Sequence, residues 1–522
     1  MGKGKNLFAY IARRLSAVLI ILLGSSFFVY NLEAYAGDPL EELRLSNDPK
    51  KEQMILNLTR QLDLNTPPPL RYFKWLGGLL GGFTGNFDLG KTRTGESVAE
   101  QIGTAIPTTL RLVVAATFIA IFLGIAIGMI TALRQYSRFD YSITFVSFLF
   151  FSLPIFWVAV LLKQFLAIEF NNWLAAAELS WQWVVGIALA SATLWAGVLA
   201  STRKKTAIVF VSAFAVTASL LTFLGAINWF NNPGLGPIMV VGLGAGVAVG
   251  VTVLSTGLAN KSALYGSLAM AAFGGIIYYP IQPLLNKDFS FLLLLALAGA
   301  TVGVGLIAGW LAAKEDRSAV MRTTTLSAVI VAAFIFVDRL MQTWLPYTSN
   351  DYISYRPIPT VGQTNTLLQD ELMANPDFWM STLDALLHLV LPTVALCIIS
   401  FAGYVRYTRG SLLEVLNQDY IRTARAKGLT ERTVIMRHAF RNAMIPLTTL
   451  VAWDIAGLIG GAIITERVFG WIGMGTLFNK AITTFDLNLL MGVAILTSFL
   501  AIMANLFADL VYSALDPRIR VR

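Results

Sequence analysis

The stretch Gln418 to Pro446, QDYIRTARAKGLTERTVIMRHAFRNAMIP, is the most informative part of the chain. It is rich in Lys, Arg and His and lies between long apolar runs, so it should lie in water on one side of a bilayer. Helical spacing predicts two short helices separated at Gly428, where a left-handed residue ends the first helix. We expect Thr430 to cap the second helix and Pro446 to open the membrane segment that follows. The stretch, called the basic loop below, therefore predicts a rigid cytoplasmic structure.

The first of these short helices has a partly apolar side, formed by Ile421, Ala424 and Leu429. The alternative is a plain basic loop that only obeys the rule that positive charges stay inside, and charge alone does not separate the two. The order of helix, glycine, capping threonine and re-entering proline favours a built structure.

Composition independently indicates a membrane protein. The chain has 522 residues, of which 56% are hydrophobic and 13% are charged, and its mean hydropathy is +0.66. Apolar runs repeatedly reach the length needed to cross about 30 Å of hydrocarbon. We therefore predict an all-α polytopic membrane protein that contacts the lipid bilayer.

Charge distribution and residue counts exclude several kinds of site. The net charge is +9, yet the basic residues fall in short loops without interleaved aromatic residues, which excludes nucleic acid as a partner. Cys397 is the one cysteine, so the chain forms no internal disulfide and no cysteine-based metal cluster. The two histidines, His388 and His438, are too few for a histidine-rich metal site.

The basic loop resembles a known element. DYIRTARAKGL followed by RHAFRNAMIP is similar to the EAA loop of ABC importer permeases, in the oligopeptide and dipeptide (peptide/nickel) branch. In that family the short helix of the loop docks in a cleft of a separate ATPase subunit. The leading Glu and Ala of the family's motif are not kept here, whereas the small residues and the glycine are. The resemblance implies an ATPase-coupling role for Asp419, Tyr420, Arg422, Thr423, Ala424, Arg425, Ala426, Lys427 and Gly428.

Apolar runs and loop charges predict the domain organisation. The ranges are 1–31 for an N-terminal span, 32–106 for an extracytoplasmic cap segment, 107–168 for core spans two and three, 169–345 for an inserted helical bundle, 346–380 for a second extracytoplasmic segment, and 381–522 for core spans four to six, with the EAA-type coupling loop at 414–446. The resemblance implies a six-helix type I importer core, to which the insertion adds about six transmembrane helices, about 12 in total. Both termini are then cytoplasmic.

Twelve apolar runs are candidate membrane spans. The core spans are expected at 12–31, 108–133, 141–168, 385–405, 446–464 and 488–513, and the inserted ones at 181–200, 206–227, 235–257, 263–285, 290–313 and 322–345. A cleaved signal peptide is the alternative for the first span, because Ala34, Tyr35 and Ala36 form a small-x-small pattern. In the insertion, glycine-rich rows at 242–251 and 296–305 predict close helix packing.

One motif in the cap segment is a decoy. Residues 85–92, GNFDLGKT, fit the phosphate-binding P-loop expression. A P-loop needs a preceding β-strand and a helix that follows at once, and the sequence predicts neither here. We therefore expect no nucleotide site in this segment.

Four residues are candidates for a translocation pathway or gate. Asp454 lies within an apolar span, where a carboxylate costs about 2.5–3.5 kcal/mol, so it should face either a cavity or an interhelical hydrogen-bond partner. Pro154 and Trp157 belong to FSLPIFWVAVLL, which resembles the family's Ser-x-Pro-x-Phe-Trp helix, and Pro154 can bend that helix. Glu466 begins ERVFGWIGMG, which is similar to a family stretch that leads into a short re-entrant or surface helix.

The resemblance implies a function for the whole chain. It would be the permease subunit of an ATP-driven importer, forming half of a pore for peptides that an extracytoplasmic solute-binding protein delivers. Its partners would be a second permease subunit, as a heterodimer, and one or two ABC ATPase subunits that carry ATP and Mg. The chain itself is expected to have no cofactor, no metal and no catalytic residue, and to lie as a multi-pass protein in the inner or plasma membrane of a prokaryote.

Three other functions stay open from the sequence. The same type of importer could carry a nickel chelate or another small solute. A secondary transporter would need inverted repeats with ion sites on broken helices. A membrane-embedded enzyme would need clustered acids, nucleophiles or metal ligands.

Overall fold

A computed structural model describes residues 3–176, 179–199, 202–286, 289–314, 316–460 and 463–515. Helices dominate these residues. In the first third of the chain the helices are α1 Lys3–Ala36, α2 Glu41–Leu45, α3 Lys51–Gln61, α4 Pro68–Leu80, α5 Val98–Leu133, α6 Arg138–Ser152, α7 Ile155–Leu162 and α8 Phe170–Ala176. A 3₁₀ helix, Gly81–Thr84, follows α4, and a π-helix, Lys163–Glu169, joins α7 to α8.

The middle of the chain contains α9 Trp181–Leu199, α10 Arg203–Ala226, α11 Gly236–Ser255, α12 Lys261–Asn286, α13 Phe291–Ala312, α14 Arg317–Gln342, α15 Trp344–Thr348 and α16 Thr366–Ala374. The last part contains α17 Phe378–Leu416, α18 Asp419–Ala426, α19 Glu431–Thr433, a π-helix Val434–Ala439, α20 Phe440–Gly460, α21 Ile463–Phe469, α22 Met474–Thr483 and α23 Leu487–Leu515.

Eleven helical ranges among the described residues are long and apolar enough to cross a membrane. They include all six runs of the predicted insertion and five of the six predicted core spans. The remaining core span, expected at 446–464, corresponds to α20, which is not one of the eleven; residues 461–462 lie outside the described residues. The predicted fold class, a helical membrane protein with a family core and extra helices, is confirmed.

The third core span differs in detail from a single run over 141–168. α6 ends at Ser152 and α7 begins at Ile155, so the helix is interrupted at Leu153 and Pro154. Proline lacks the N–H that would bond to the preceding turn, and its ring crowds that turn. The range that is apolar and long enough to cross is therefore Ile155–Ala176.

The chain divides into two compact units. The first comprises residues 1–162 and 391–522. One of its cores joins α1, α4, α5, α22 and α23 around Tyr30, Tyr72 and Trp75. In a second contact of this unit, Gly124 and Gly128 of α5 lie directly against Tyr404 and Thr408 of α17. Small residues allow two helix backbones to approach closely in lipid, where no hydrophobic force drives them together.

The second unit comprises residues 163–390 and includes the predicted insertion. Its helices pack mainly in the pairs α9 with α10, α11 with α12, and α13 with α14. Gly244 of α11 faces Val331, and Gly305 of α13 faces Thr325, so both predicted glycine rows contribute to helix packing. The rows are used only in part, because Gly242, Gly246 and Gly250 face open space.

The decoy motif at 85–92 is an irregular segment, in which Lys91 forms an isolated β-bridge with Ser97. The 3₁₀ helix Gly81–Thr84 precedes it, and α5 begins only at Val98. Asn488 of α23 donates to the Lys91 carbonyl at 2.9 Å, and the Trp75 indole donates to the Leu89 carbonyl at 3.2 Å. These contacts tie the segment to α4 and α23, and its local geometry is not that of a P-loop.

Candidate functional site

The first short helix of the basic loop is α18. Its apolar side is fixed against the protein: Ile421 is 0% exposed and Ala424 is 6% exposed. They belong to a cluster with Leu412 of α17, Val434 and Ala439. Burial of one side holds α18 rigidly at the ends of the longer helices, and leaves its polar side at the surface.

The exposed side of α18 carries most of the predicted coupling residues. The exposed members are Asp419, Tyr420, Arg422, Thr423, Arg425, Ala426, Lys427 and Gly428, whereas Ala424 is buried. Arg425 donates from Nε to Glu431 Oε1 at 2.8 Å, and Arg422 lies 3.4 Å from Asp419. Exposed ion pairs of this kind add little stability. The surface is therefore a polar, mainly cationic face on a fixed backbone.

The break between the two short helices is confirmed. Gly428 has φ +77°, the left-handed conformation that ends helices and favours glycine. Thr430 then accepts from the Thr433 amide at 3.4 Å and caps α19, as the sequence predicts. The chain continues without a gap from α19 through the π-helix Val434–Ala439 into α20.

Two details predicted for the basic loop are wrong. Leu429 does not join the apolar side of α18, because it follows the end of the helix and is exposed. Pro446 does not open the membrane helix, because α20 begins at Phe440 and contains Pro446 in its interior. A proline inside a membrane helix is tolerated when neighbouring groups satisfy the freed backbone carbonyl. The sequence prediction thus placed the start of α20 too late in the chain, at Pro446 instead of Phe440.

The structure shows two contacts, one within the basic loop and one between the nearby helices α17 and α6, that the sequence did not reveal. Asn442 of α20 donates to the Tyr420 hydroxyl at 2.9 Å, which links α20 to α18. Arg409 near the end of α17 donates to both carboxylate oxygens of Asp140, at 2.6 and 2.9 Å. The Arg409 guanidinium holds the pKa of Asp140, in the turn that begins α6, below its usual range. No short motif connects Asp140 with Arg409, since 269 positions separate them.

The four pathway candidates lie on or beside different helices, and two of these helices are in contact: α7, which carries Trp157, packs against α21, which carries Glu466. Pro154 marks the interruption between α6 and α7, and Trp157 on α7 is 47% exposed. Asp454 accepts a hydrogen bond from the Tyr404 hydroxyl at 2.6 Å, so an interhelical partner for this carboxylate is present. The sequence did not identify Tyr404 as that partner.

Glu466 is held in the interior. It is 0% exposed and accepts from the Thr109 hydroxyl at 2.7 Å and from the Thr476 amide at 2.7 Å. Thr109 in turn accepts from the Met474 amide at 2.8 Å. A Cβ on Gly473 would overlap both Glu466 and Thr109, so this position requires glycine. These hydrogen bonds fix the position of the first residues of α22, the short helix that the family resemblance implies.

Among the described residues, no group of three His, Cys, Asp or Glu side chains is placed to hold a metal ion.

Comparison with known proteins identifies the family. Residues 305–521 match the family described as binding-protein-dependent transport system inner membrane component. The oligopeptide transport system permease protein OppB of Mycobacterium tuberculosis is 34% identical over 245 residues, which cover 46% of this chain and 74% of that protein. The oligopeptide transport system permease protein AppB of Bacillus subtilis is 24% identical over 98% of this chain and 99% of its own length.

A dipeptide permease matches a shorter part of the chain at higher identity. The dipeptide transport system permease protein DppB of Escherichia coli K12 is 46% identical over 138 residues, which cover 26% of this chain and 41% of that protein. These relatives are transport permeases, and the many apolar helices described above agree with a multi-pass location in the inner membrane. The chain belongs to the binding-protein-dependent transport system inner membrane component family, and is a membrane permease subunit of that family.

Proposed function

We propose that this chain forms half of the translocation pore of an ATP-driven peptide importer, and that α18 transmits the work of a separate ATPase. The relatives named for oligopeptide and dipeptide transport support the substrate class. The observation that carries the proposal is α18 itself: its apolar side is locked into the protein while its polar side faces outward.

The geometry of α18 suits the transmission of force. Ile421 and Ala424 pack against Leu412 at the end of α17, and Tyr420 is hydrogen-bonded to α20. A push on the exposed side is therefore passed to two long helices instead of being absorbed by a flexible loop. In this scheme ATP and Mg bind to the ATPase subunits. ATP-driven movement of those ATPase subunits shifts the permease between conformations.

The orientation of the chain across the membrane follows from the assignment of α18 as the ATPase-docking helix. Docking of an intracellular ATPase places the basic loop and both termini in the cytoplasm, and the segments 32–106 and 346–380 outside. The positive charges of the basic loop agree with this orientation. The outer segments then face the solute-binding protein, and a second, similar permease chain completes the pore.

The pathway residues have two kinds of role in this proposal. Pro154 and Trp157 lie where a helix is interrupted, so this segment can bend during gating. Asp454 lines the pathway next to Tyr404, and Glu466 acts as a gate by holding α22.

Docking is tested with a substitution on the exposed side of α18. Ala426 is exposed, so Ala426→Trp leaves the fold intact but fills the space that a docking cleft needs. We expect the variant to reach the membrane in normal amounts and to lose both co-purified ATPase and uptake. Ala259→Trp, on an exposed turn between α11 and α12, is the matched control. Normal ATPase retention by the Ala426 variant would refute the assigned docking surface.

The substrate class is tested on the intact complex. The solute-binding protein that co-purifies with the complex is denatured, and mass spectrometry identifies the ligand that it releases. Peptides are the expected result. A nickel chelate or another small solute would keep the importer assignment and replace the substrate, whereas transport by the chain alone, without an ATPase, would indicate a secondary transporter.

A further inference from the structure

The helix α4, Pro68–Leu80, is apolar on two sides. Its inner side carries Tyr72 and Trp75, which are buried in the core shared with α1, α5, α22 and α23. On the opposite side Leu70 is 60% exposed, Phe73 is 59% exposed and Leu80 is 50% exposed. A helix that packs on one side and meets water on the other is normally polar on the second side. This helix therefore presents an apolar surface that the rest of the described chain leaves uncovered.

The exposed apolar residues of α4 form a continuous strip with a cationic edge. With about 3.6 residues per turn, positions i, i+3, i+7 and i+10 share one side of a helix. These positions are occupied here by Leu70, Phe73, Gly77 and Leu80, and we call this side the apolar strip. Arg71 and Lys74 lie next to Leu70 on the same helical projection, so they border the apolar strip along one edge.

Hydrogen bonds show how deep α4 lies beside α1. The Tyr72 hydroxyl donates to the Leu23 carbonyl at 3.3 Å and is hydrogen-bonded to the Ser26 hydroxyl at 2.8 Å. Asn31 is the first amide or charged side chain after the apolar run of α1, and Ser26 precedes it by about 7.5 Å along the helix axis. The Tyr72 side chain covers part of that depth, so the backbone of α4 lies beside the last turns of the apolar run. This run contributes to the first range that is long and apolar enough to cross a membrane.

The contacts with α1 also fix which way the two edges of α4 point. Phe73, on the apolar strip, packs against Phe27 with ring centroids 5.9 Å apart, and Phe27 is itself exposed on the apolar run. Arg71 donates from Nε to the Tyr30 hydroxyl at 3.1 Å, almost one turn nearer the polar end of that run. The apolar strip therefore continues the exposed apolar side of α1, whereas the cationic edge points toward the water.

We infer that α4 lies in the interface of one bilayer leaflet, with the apolar strip among the upper acyl chains and with Arg71 and Lys74 at the level of the lipid phosphates. Amphipathic helices that lie in a membrane interface have this arrangement, an apolar face against the acyl chains and basic residues beside the headgroups. Long basic side chains reach the headgroups while their stems cover apolar surface. Tyr72 and Trp75 fit the same level, because Tyr and Trp are enriched at membrane interfaces.

This position of α4 makes it a membrane anchor for the segment 32–106. The inference requires only that α1 crosses the membrane, and the orientation proposed above identifies the leaflet as the outer one. A second permease chain is the other occupant that could cover such a strip. The continuity of the strip with the exposed side of α1 favours lipid, since both then face the same hydrocarbon.

Site-directed spin labelling measures the depth of α4. Cys397 is the one cysteine of the chain, so Cys397→Ser provides a background for single cysteines. A nitroxide is attached in turn to Leu70→Cys, Phe73→Cys and Leu80→Cys. The full-length protein, with the subunits that co-purify, is placed in nanodiscs of phosphatidylethanolamine and phosphatidylglycerol. Oxygen concentrates in the bilayer and a charge-neutral nickel complex concentrates in water, so the ratio of their collision rates with the nitroxide reports depth.

Two matched positions calibrate the ratio. Asn65→Cys, in the exposed turn before α4, is the water control, and Val216→Cys, exposed in the middle of α10, is the control for the bilayer interior. We expect the ratios of oxygen to nickel collisions at the three α4 positions to lie between those of the two controls. In the wild-type chain, a phosphatidylglycerol with a photoreactive group near its glycerol should label residues 70–80. This labelling needs no variant, so it decides the question even where a variant folds poorly.

Two results would overturn the inference. The first is a collision ratio at the α4 positions equal to that at Asn65, with no lipid labelling of residues 70–80, because the apolar strip would then face water. The second is protection of these positions from both oxygen and the nickel complex, with no lipid labelling. A second permease chain or another subunit would then cover the strip in place of lipid.

Discussion

The Thr109 hydroxyl donates to the buried carboxylate of Glu466 at 2.7 Å, and joins α5 to α21 although 357 positions separate the two residues. The other carboxylate oxygen accepts from the amide and the hydroxyl of Thr476, at 2.7 and 3.1 Å. Three helical elements, α5, α21 and α22, thus meet on one side chain. Since buried polar groups are costly when they lose a partner, this side chain fixes the position of α22.

Replacement of Glu466 by glutamine tests that role. Both oxygens of Glu466 act as acceptors, whereas glutamine turns one acceptor into a donor that faces another donor. We expect Glu466→Gln to lower stability by about 1–3 kcal/mol, measured by thermal melting of the purified protein. Glu100→Gln, at an exposed position of α5, is the control. A gate role predicts a further loss of peptide uptake at temperatures where the variant is fully folded; unchanged uptake there would leave Glu466 a purely structural residue.

The ion pair between Asp140 and Arg409 predicts a response to acid. Arg409 lowers the pKa of Asp140, so the folded state favours the ionised carboxylate. The stabilisation is fully present above the ordinary aspartate pKa of about 3.9, and is lost as the pH falls through the lower pKa of the folded state. We expect Asp140→Asn to be less stable than wild type at neutral pH and to lose less stability below about pH 4.

Melting temperatures of both proteins across that pH range measure the effect. Because Asp140 is buried, removal of its charge leaves Arg409 without its partner, and a loss of about 1–3 kcal/mol at neutral pH is the expected size. Asp63→Asn, at an exposed carboxylate that is paired with Lys74, is the control. Equal stability of Asp140→Asn and wild type at pH 7 would contradict the prediction.

Two variants separate the roles open to Asp454. If the hydrogen bond from Tyr404 is its whole purpose, Tyr404→Phe and Asp454→Asn should reduce stability and uptake together. If Asp454 also contacts the substrate pathway, Asp454→Asn should reduce uptake further than Tyr404→Phe at equal stability. Uptake by reconstituted complexes, compared with their melting temperatures, distinguishes these results. We expect the second pattern, and the first would remove Asp454 from the proposed pathway.

The sequence predicted whatever depends on local chemistry. Among the described residues, eleven of the predicted spans correspond to helical ranges that are long and apolar enough to cross a membrane. The positive φ at Gly428 and the Thr430 cap follow from turn chemistry. The predictions were wrong where packing in the folded chain overrides a local sequence preference. Pro446 marks a helix start by local preference, yet the residues before it are held in helical form by their packing against α18 and α17.

Long-range pairs could not be predicted at all. Three hydrogen-bonded pairs consist of residues that are 50 to 357 positions apart in the sequence. They are Thr109 with Glu466, Asp140 with Arg409, and Tyr404 with Asp454. Each residue alone has an ordinary local role, such as a helix cap or a polar residue in an apolar run. Only the three-dimensional arrangement of the helices shows which ones meet, so the partners of Asp454 and Glu466 required the structure.

Gly428 lies at the joint between α18 and α19. Its φ of +77° is strained for a β-branched residue, at a cost of about 1–3 kcal/mol, whereas asparagine accepts this conformation more readily. Open space surrounds the position, so Gly428→Val changes backbone strain without a steric clash. Under the proposed coupling role, a displaced α18 should let the bound ATPase hydrolyse ATP with little uptake. Gly428→Asn should retain most of the coupling. The ratio of peptide taken up to ATP hydrolysed, measured in proteoliposomes, tests both variants, and a wild-type ratio for Gly428→Val would mean that the conformation of this joint does not govern coupling.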